Sequence, residues 1–164
     1  MLAQRLGLSI NSTRPLGKWS PDDESSLVAW YQNAVGITLN GSDVSKWDDS
    51  APAGSYDMVQ ATATEQPAYS GGVLTFVSAD KNNLQTAGQI SLTADFTLGL
   101  RINTSTTNGS FLADNTTANE FFKYSSTTRV LFKIAGSAST ALDLDSGTFG
   151  DDYLVITRAS DVLT

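Results

Sequence analysis

Asp143 and Asp145 stand two residues apart in the run "TALDLD", alternating with Leu142 and Leu144. On a strand this spacing puts both carboxylates on one face. A pair of carboxylates flanking a sugar bond is what glycoside hydrolysis needs, one as acid and the other as base or nucleophile. The solvent face of an ordinary amphipathic strand has the same pattern, and that reading is favoured. Asp48, Asp49, Asp80, Asp114, Asp151 and Asp152 are candidate oxygens for calcium in expected loops. Calcium asks for six to eight oxygens converging on one point, and scattered loop carboxylates are usually solvated. Tyr31, Trp47, Tyr56, Tyr69 and Tyr124 are candidates for stacking on sugar rings, although Trp30, Trp47 and the strand phenylalanines read first as core.

The chain contains no Cys and no His, which removes disulfides, Cys or His zinc sites, thiol nucleophiles and any Ser-His-Asp arrangement within it. No catalytic residue, no metal ligand set and no cofactor is expected, and the protein is not expected to be an enzyme. The net charge of -7 over 164 residues argues against nucleic acid as a partner, since phosphate binding needs clustered Lys and Arg. The opening "MLAQRLGLSI" is too short an apolar run for a secretory segment, and no stretch has the apolar length of a membrane span. The expectation is a soluble protein made in a cytoplasm, with no membrane partner.

The chain from about Leu27 onward holds short runs of β-formers broken by Gly, Asn, Ser, Asp and Thr clusters. The clearest is "DFTLGLRI", with Phe96, Leu98, Leu100 and Ile102 on one face and Thr97, Gly99 and Arg101 on the other. Further runs are "GVLTFV" from Gly72, "SFLAD" from Ser110, "EFFKYS" from Glu120, "RVLFKIA" from Arg129 and "TALDLD" from Thr140. In "DDYLVITR" Leu154 and Ile156 face one way and Tyr153, Val155 and Thr157 the other. Ala159, Ser160 and Asp161 then suit a tight turn into a returning strand from Val162. "NTSTTNG" at Asn103 to Gly109 and "GSAS" at Gly136 to Ser139 read as turns. Ser20 as N-cap, Pro21 at the first helical position and Asp22, Asp23 and Glu24 after it predict one helical turn over Pro21 to Ser25. "LVAWY" should then continue as a strand. The expected core is Val28, Trp30, Trp47, Leu74, Phe76, Phe96, Leu98, Leu100, Ile102, Phe132, Leu154 and Ile156.

Met1 to Trp19 differ in kind. Leu2, Leu6, Leu8, Ile10, Leu16 and Trp19 are scattered apolar residues without a sustained period, interrupted by Gly7, Pro15 and Gly17. Such a segment either packs on its own domain or serves as an arm that docks on another protein.

Several features of the remainder occur together in a particular order: the tryptophan at Trp30, "VSKWDD" with Trp47, the "VQAT…QPAY" turn from Val59 to Tyr69, and "GVLTF" followed by "FTLGLRI" and "YLVITR". From Ser20 to its end the chain thereby resembles the concanavalin A-like, laminin-G-like jelly-roll modules of bacteriophage virion structural proteins, of marine or cyanophage type. The resemblance implies an all-β fold of two antiparallel sheets packed about 10 Å apart with Greek-key connections. It divides the chain into a docking arm, residues 1–19, and a sandwich, residues 20–164. Such modules usually carry at least one more full strand after "YLVITR", so the sandwich is expected either to be truncated at its C-terminal end or to take a strand from a neighbouring chain. Where relatives often carry an acidic calcium-binding run after "LTF", this chain has "VSADKNN" at 77–83, which argues against calcium. The function implied is a non-enzymatic virion component: capsid decoration, neck or tail appendage, or fibre adaptor. Its partners would be other virion proteins and copies of itself, three of them if it is a fibre. The alternative is an adhesin module that recognises a host glycan.

Overall fold

The computed structural model describes residues 19–92, 94–103, 109–113, 121–134, 139–144, 147–160 and 162–163. Among them the regular structure is antiparallel β apart from three single 3-10 turns. The described strands form three sheets where two were expected.

The first sheet contains β1 (Ile37–Asn40), β2 (Asp43–Trp47), β3 (Met58–Val59), β4 (Ala68–Ser70), β5 (Val73–Thr75) and β6 (Gln85–Thr86). Its order is β5-β4-β2-β3-β6, and β1 pairs along the other edge of β2. Gly71 and Gly72, both at positive φ, make the two-residue turn that joins β4 to β5. Val44 and Pro67 are fully buried here, and the Val44 N–H donates to the Pro67 carbonyl at 2.8 Å.

The other two sheets form a sandwich. β8 (Ser110–Ala113), β9 (Phe121–Ser126), β10 (Arg129–Lys133) and β11 (Thr140–Asp143) run as a meander in the order β11-β10-β9-β8. The third sheet pairs β7 (Phe96–Asn103) with β12 (Asp151–Ala159) over eight residues, and β13 (Val162–Leu163) adds to the far edge of β12. β7 and β12 are therefore neighbours although the whole meander lies between them in sequence. Alternation drives the packing: Phe122 lies opposite Phe132 and Tyr124 opposite Val130, and all four are buried. Phe122, Phe132 and Ile156 form the buried centre, with Phe96, Leu98, Leu154, Phe111 and Leu142 around them. Phe96 meets Phe122 edge-on, with ring centroids 6.4 Å apart, so the two sheets face each other across an aromatic contact.

Some expectations need correction. The helical turn is a 3-10 turn over Pro21–Asp23, closed by the Ser20 N–H donating to Asp23 Oδ2 at 3.2 Å. No strand follows it over "LVAWY". Trp30 instead ties its backbone to a distant loop: its N–H donates to Asp49 Oδ1 at 2.9 Å and its carbonyl accepts from Ser50 N–H at 2.7 Å. With no ladder there is no alternation to turn Val28 inward, and it is half exposed. Phe76 is exposed as well, because β5 ends at Thr75 and the chain bends into the Ser78–Asp80 turn, so the inward parity of Leu74 does not extend to it. Val44, Ala51, Phe122, Tyr124 and Val130 are buried residues missing from the expected core. Most of the turn at Gly136 to Ser139 and most of that after Asn103 lie outside the described residues.

Candidate functional site

Most of the acidic and aromatic side chains that the sequence offers for chemistry are committed to structure. Asp143 accepts both bonds of a bidentate pair with Arg129, Nε to Oδ1 at 2.6 Å and Nη2 to Oδ2 at 2.9 Å. Arg129 and Asp143 face each other across the β10–β11 ladder, and the guanidinium holds the carboxyl below the usual carboxylate range. Asp145 lies outside the described residues.

Asp49 is buried and takes three backbone N–H groups: those of Trp30 and Ala51 at 2.9 Å and that of Tyr56 at 3.2 Å. It cross-ties two loops. Lys46 bridges Asp48 and Asp57, each at 2.7 Å, and these bonds raise its pKa while lowering that of Asp57. Gly36 sits against this cluster at φ +68°, where a Cβ would lie 2.7 Å from that of Asp48. Asp80 belongs to a 3-10 turn, while Asp114 and the side chain of Asp152 lie outside the described residues. Among the described residues no three carboxylates converge on a point that could hold a metal ion.

The aromatics divide similarly. Tyr124 is buried, which removes it as a ligand contact. Trp47 donates its indole N–H to the Gln32 and Val35 carbonyls, both at 3.1 Å, and packs on Tyr31 with ring centroids 5.6 Å apart. Tyr31 donates to the Tyr56 carbonyl, and burial, aided by the charges of Asp49 and Asp57, pushes its hydroxyl above the ordinary tyrosine range. Tyr56 and Tyr69 are partly buried. Of the expected docking residues, Leu2, Leu6, Leu8, Ile10 and Leu16 lie outside the described residues, and Trp19 is 72% exposed.

Among the described residues, the most open aromatic side chain lies outside the candidates that the sequence offers for stacking. On β7 and β12 the face turned away from the core carries Thr97, Gly99, Arg101 and Asn103 beside Thr157, Val155, Tyr153 and Asp151. Tyr153 is 79% exposed. Arg101 lies directly opposite it, its guanidinium carbon 5.5 Å from the ring centroid, and Asp151 grips that guanidinium at 3.0 Å through Nε and 2.8 Å through Nη2. The pair holds the Asp151 carboxyl below its ordinary range. Arg101 carries five N–H donors and Asp151 takes two, so a charge-balanced, preoriented donor set stands beside a flat aromatic ring. Gly99, opposite Val155, leaves space on the same face. The arrangement can stack a planar or C–H-rich ligand and hydrogen-bond its hydroxyls. The alternation of "DDYLVITR" already placed Tyr153 outward, but bringing Arg101 to it takes a strand pairing 52 residues long in sequence (153 − 101).

Compared with protein-family models, curated proteins and solved structures, the chain shows no match.

Proposed function

We propose that the chain is a non-enzymatic structural component of a bacteriophage virion, its sandwich a jelly-roll-type module attached to the particle through residues 1–19. The observation that supports this most is the face-to-face packing of β8–β11 on β7 and β12, in the stretch where the sequence resembles virion modules. The commitment of Asp143 and Asp49 to structural bonds supports a role without catalysis. The protein would work in the particle, among other virion proteins and copies of itself, as decoration, neck or tail appendage, or fibre adaptor. Deleting residues 1–19 tests the attachment. The shortened protein should fold, by circular dichroism, yet be missing from gradient-purified particles. Normal incorporation would sink the docking role.

A second reading, a glycan-binding adhesin, is favoured by the open face around Tyr153. Paired charges at Arg101 and Asp151 suit an uncharged sugar better than an anionic one. Titrating the protein with a panel of neutral oligosaccharides, with and without calcium, should shift backbone amide resonances in β7 and β12. Tyr153→Ala should weaken binding about tenfold and Tyr153→Phe much less. Silence across the panel rejects this reading without touching the first.

A further inference from the structure

Asn40 and Gly41 stand at the tip of the hairpin that joins β1 to β2, with Gly41 and Ser42 as its loop and Asn40 opposite Asp43 as its last pair. An Asn–Gly step carries a chemistry of its own. The glycine nitrogen, with no side chain beside it, attacks the asparagine carboxamide carbon to close a cyclic succinimide, and ammonia leaves. Water then opens the ring to aspartate or isoaspartate. Asn40 is exposed, and nothing lies within 4 Å of where a side chain at Gly41 would begin, so solvent reaches the reacting atoms. Extended backbone, however, holds the Gly41 nitrogen away from the Asn40 carboxamide, and the ring closes only when the tip opens.

The ladder at this tip is short. The register of β1 on β2 shifts between Thr38 and Leu39, which leaves Leu39–Val44 and Asn40–Asp43 as the pairs beyond the irregularity. Ends held this way open locally without unfolding the rest. Against that opening stands one side-chain bond: Asn40 Nδ2 donates to Gln66 Oε1 at 3.1 Å. Gln66 is buried and itself fixed, its Nε2 donating to the Gln60 carbonyl at 2.7 Å and its carbonyl accepting from Asn82 Nδ2 at 3.0 Å.

We propose that Asn40–Gly41 is a deamidation site latched by Gln66. The bond turns the carboxamide toward the buried amides and occupies the nitrogen that must leave. When the tip opens, a bond forms between the Gly41 nitrogen and Asn40 Cγ, the Cγ–Nδ2 bond breaks, and the Gly41 amide proton departs with the ammonia. One water adds back across the ring. The product does not relatch. A carboxylate at position 40 offers Gln66 Oε1 no N–H and stands opposite the carboxylate of Asp43. Isoaspartate in addition lengthens the backbone by a carbon and falls out of step with the ladder. The conversion therefore runs one way, adds negative charge to a chain already at -7, and loosens the amide cluster around Gln60 and Gln66.

The latch is independent of the virion and glycan readings and is tested on the purified full chain. After ageing in warm, mildly alkaline buffer, peptide mapping by mass spectrometry follows conversion at Asn40 apart from that at Asn108–Gly109, the other Asn–Gly step. Asn40 should convert in the folded protein, about fivefold or more slowly than in the guanidinium-unfolded chain. Gln66→Leu should raise the folded rate about fivefold. Asp49→Ala, which removes an acceptor from Trp30, Ala51 and Tyr56 and makes no bond to Asn40, should leave that rate unchanged. Asn40→Asp should reproduce the lowered urea midpoint of the aged protein. No conversion at Asn40 in the folded chain, or conversion at the unfolded rate, overturns the proposal, and this comparison needs no variant. Equal acceleration by Gln66→Leu and Asp49→Ala overturns it too, because general loosening would then be the gate.

Discussion

Asp49 shows how one buried carboxylate can replace a ladder. Its two oxygens take the N–H groups of Trp30, Ala51 and Tyr56, and its own N–H donates to Asp57 Oδ1 at 2.9 Å. In the sequence it is one of six aspartates in expected loops, and nothing local sets it apart. What distinguishes it is which distant backbone reaches it: Trp30 is 19 residues away. Asp49→Ala should leave these donors without their acceptor and cost about 2–3 kcal/mol, measured by urea unfolding. Asp80→Ala, on an exposed turn, should stay within about 0.5 kcal/mol.

At the level of elements, the "VQAT…QPAY" turn owes its shape to buried amides. Gln66 Nε2 donates to the Gln60 carbonyl at 2.7 Å, Asn40 donates to Gln66 Oε1 at 3.1 Å, and Gln60 Nε2 donates to Asn83 Oδ1 at 2.9 Å. Gln60 and Gln66 are buried, so the loop is held by side-chain bonds where a strand would use its ladder. Gln66→Leu should strand the Asn40 amide and the Gln60 carbonyl and lower stability by about 2 kcal/mol, visible as a shift in the urea midpoint. The long runs "DFTLGLRI", "EFFKYS", "RVLFKIA" and "DDYLVITR" were legible because their alternation is regular, and each is a strand. "LVAWY" misled because β-propensity describes a side chain's fitness for a pleated surface and cannot say whether a partner strand exists.

For the whole molecule, the net charge of -7 coexists with ion pairs such as Arg101–Asp151, Arg129–Asp143 and Lys46 with Asp48 and Asp57. Asp57, Asp143 and Asp151 all titrate below their ordinary value when folded. A carboxylate depressed in the folded state binds protons more readily when unfolded. Its contribution is therefore complete above the ordinary value of about 4 and fades as pH falls through it toward the folded values. The urea midpoint should stay level from pH 7 to about 5 and drop below about pH 4. Replacing these three residues together by Asn should flatten the drop, and an unchanged acid limb would locate the loss elsewhere.

Composition and alternation alone determined the all-β class, the absence of Cys and His chemistry, the strands of the sandwich and the outward parity of Tyr153. Each of these depends on residue types or on a two-residue period, which short stretches carry in full. Only the tertiary structure decided that six short strands form a separate sheet, that Asp49 is a structural acceptor and that Arg101 sits over Tyr153. Those are pairings between segments tens of residues apart. A strand specifies which of its faces is apolar but leaves its neighbour undetermined, and the neighbour is settled only when the sheets close over a common core.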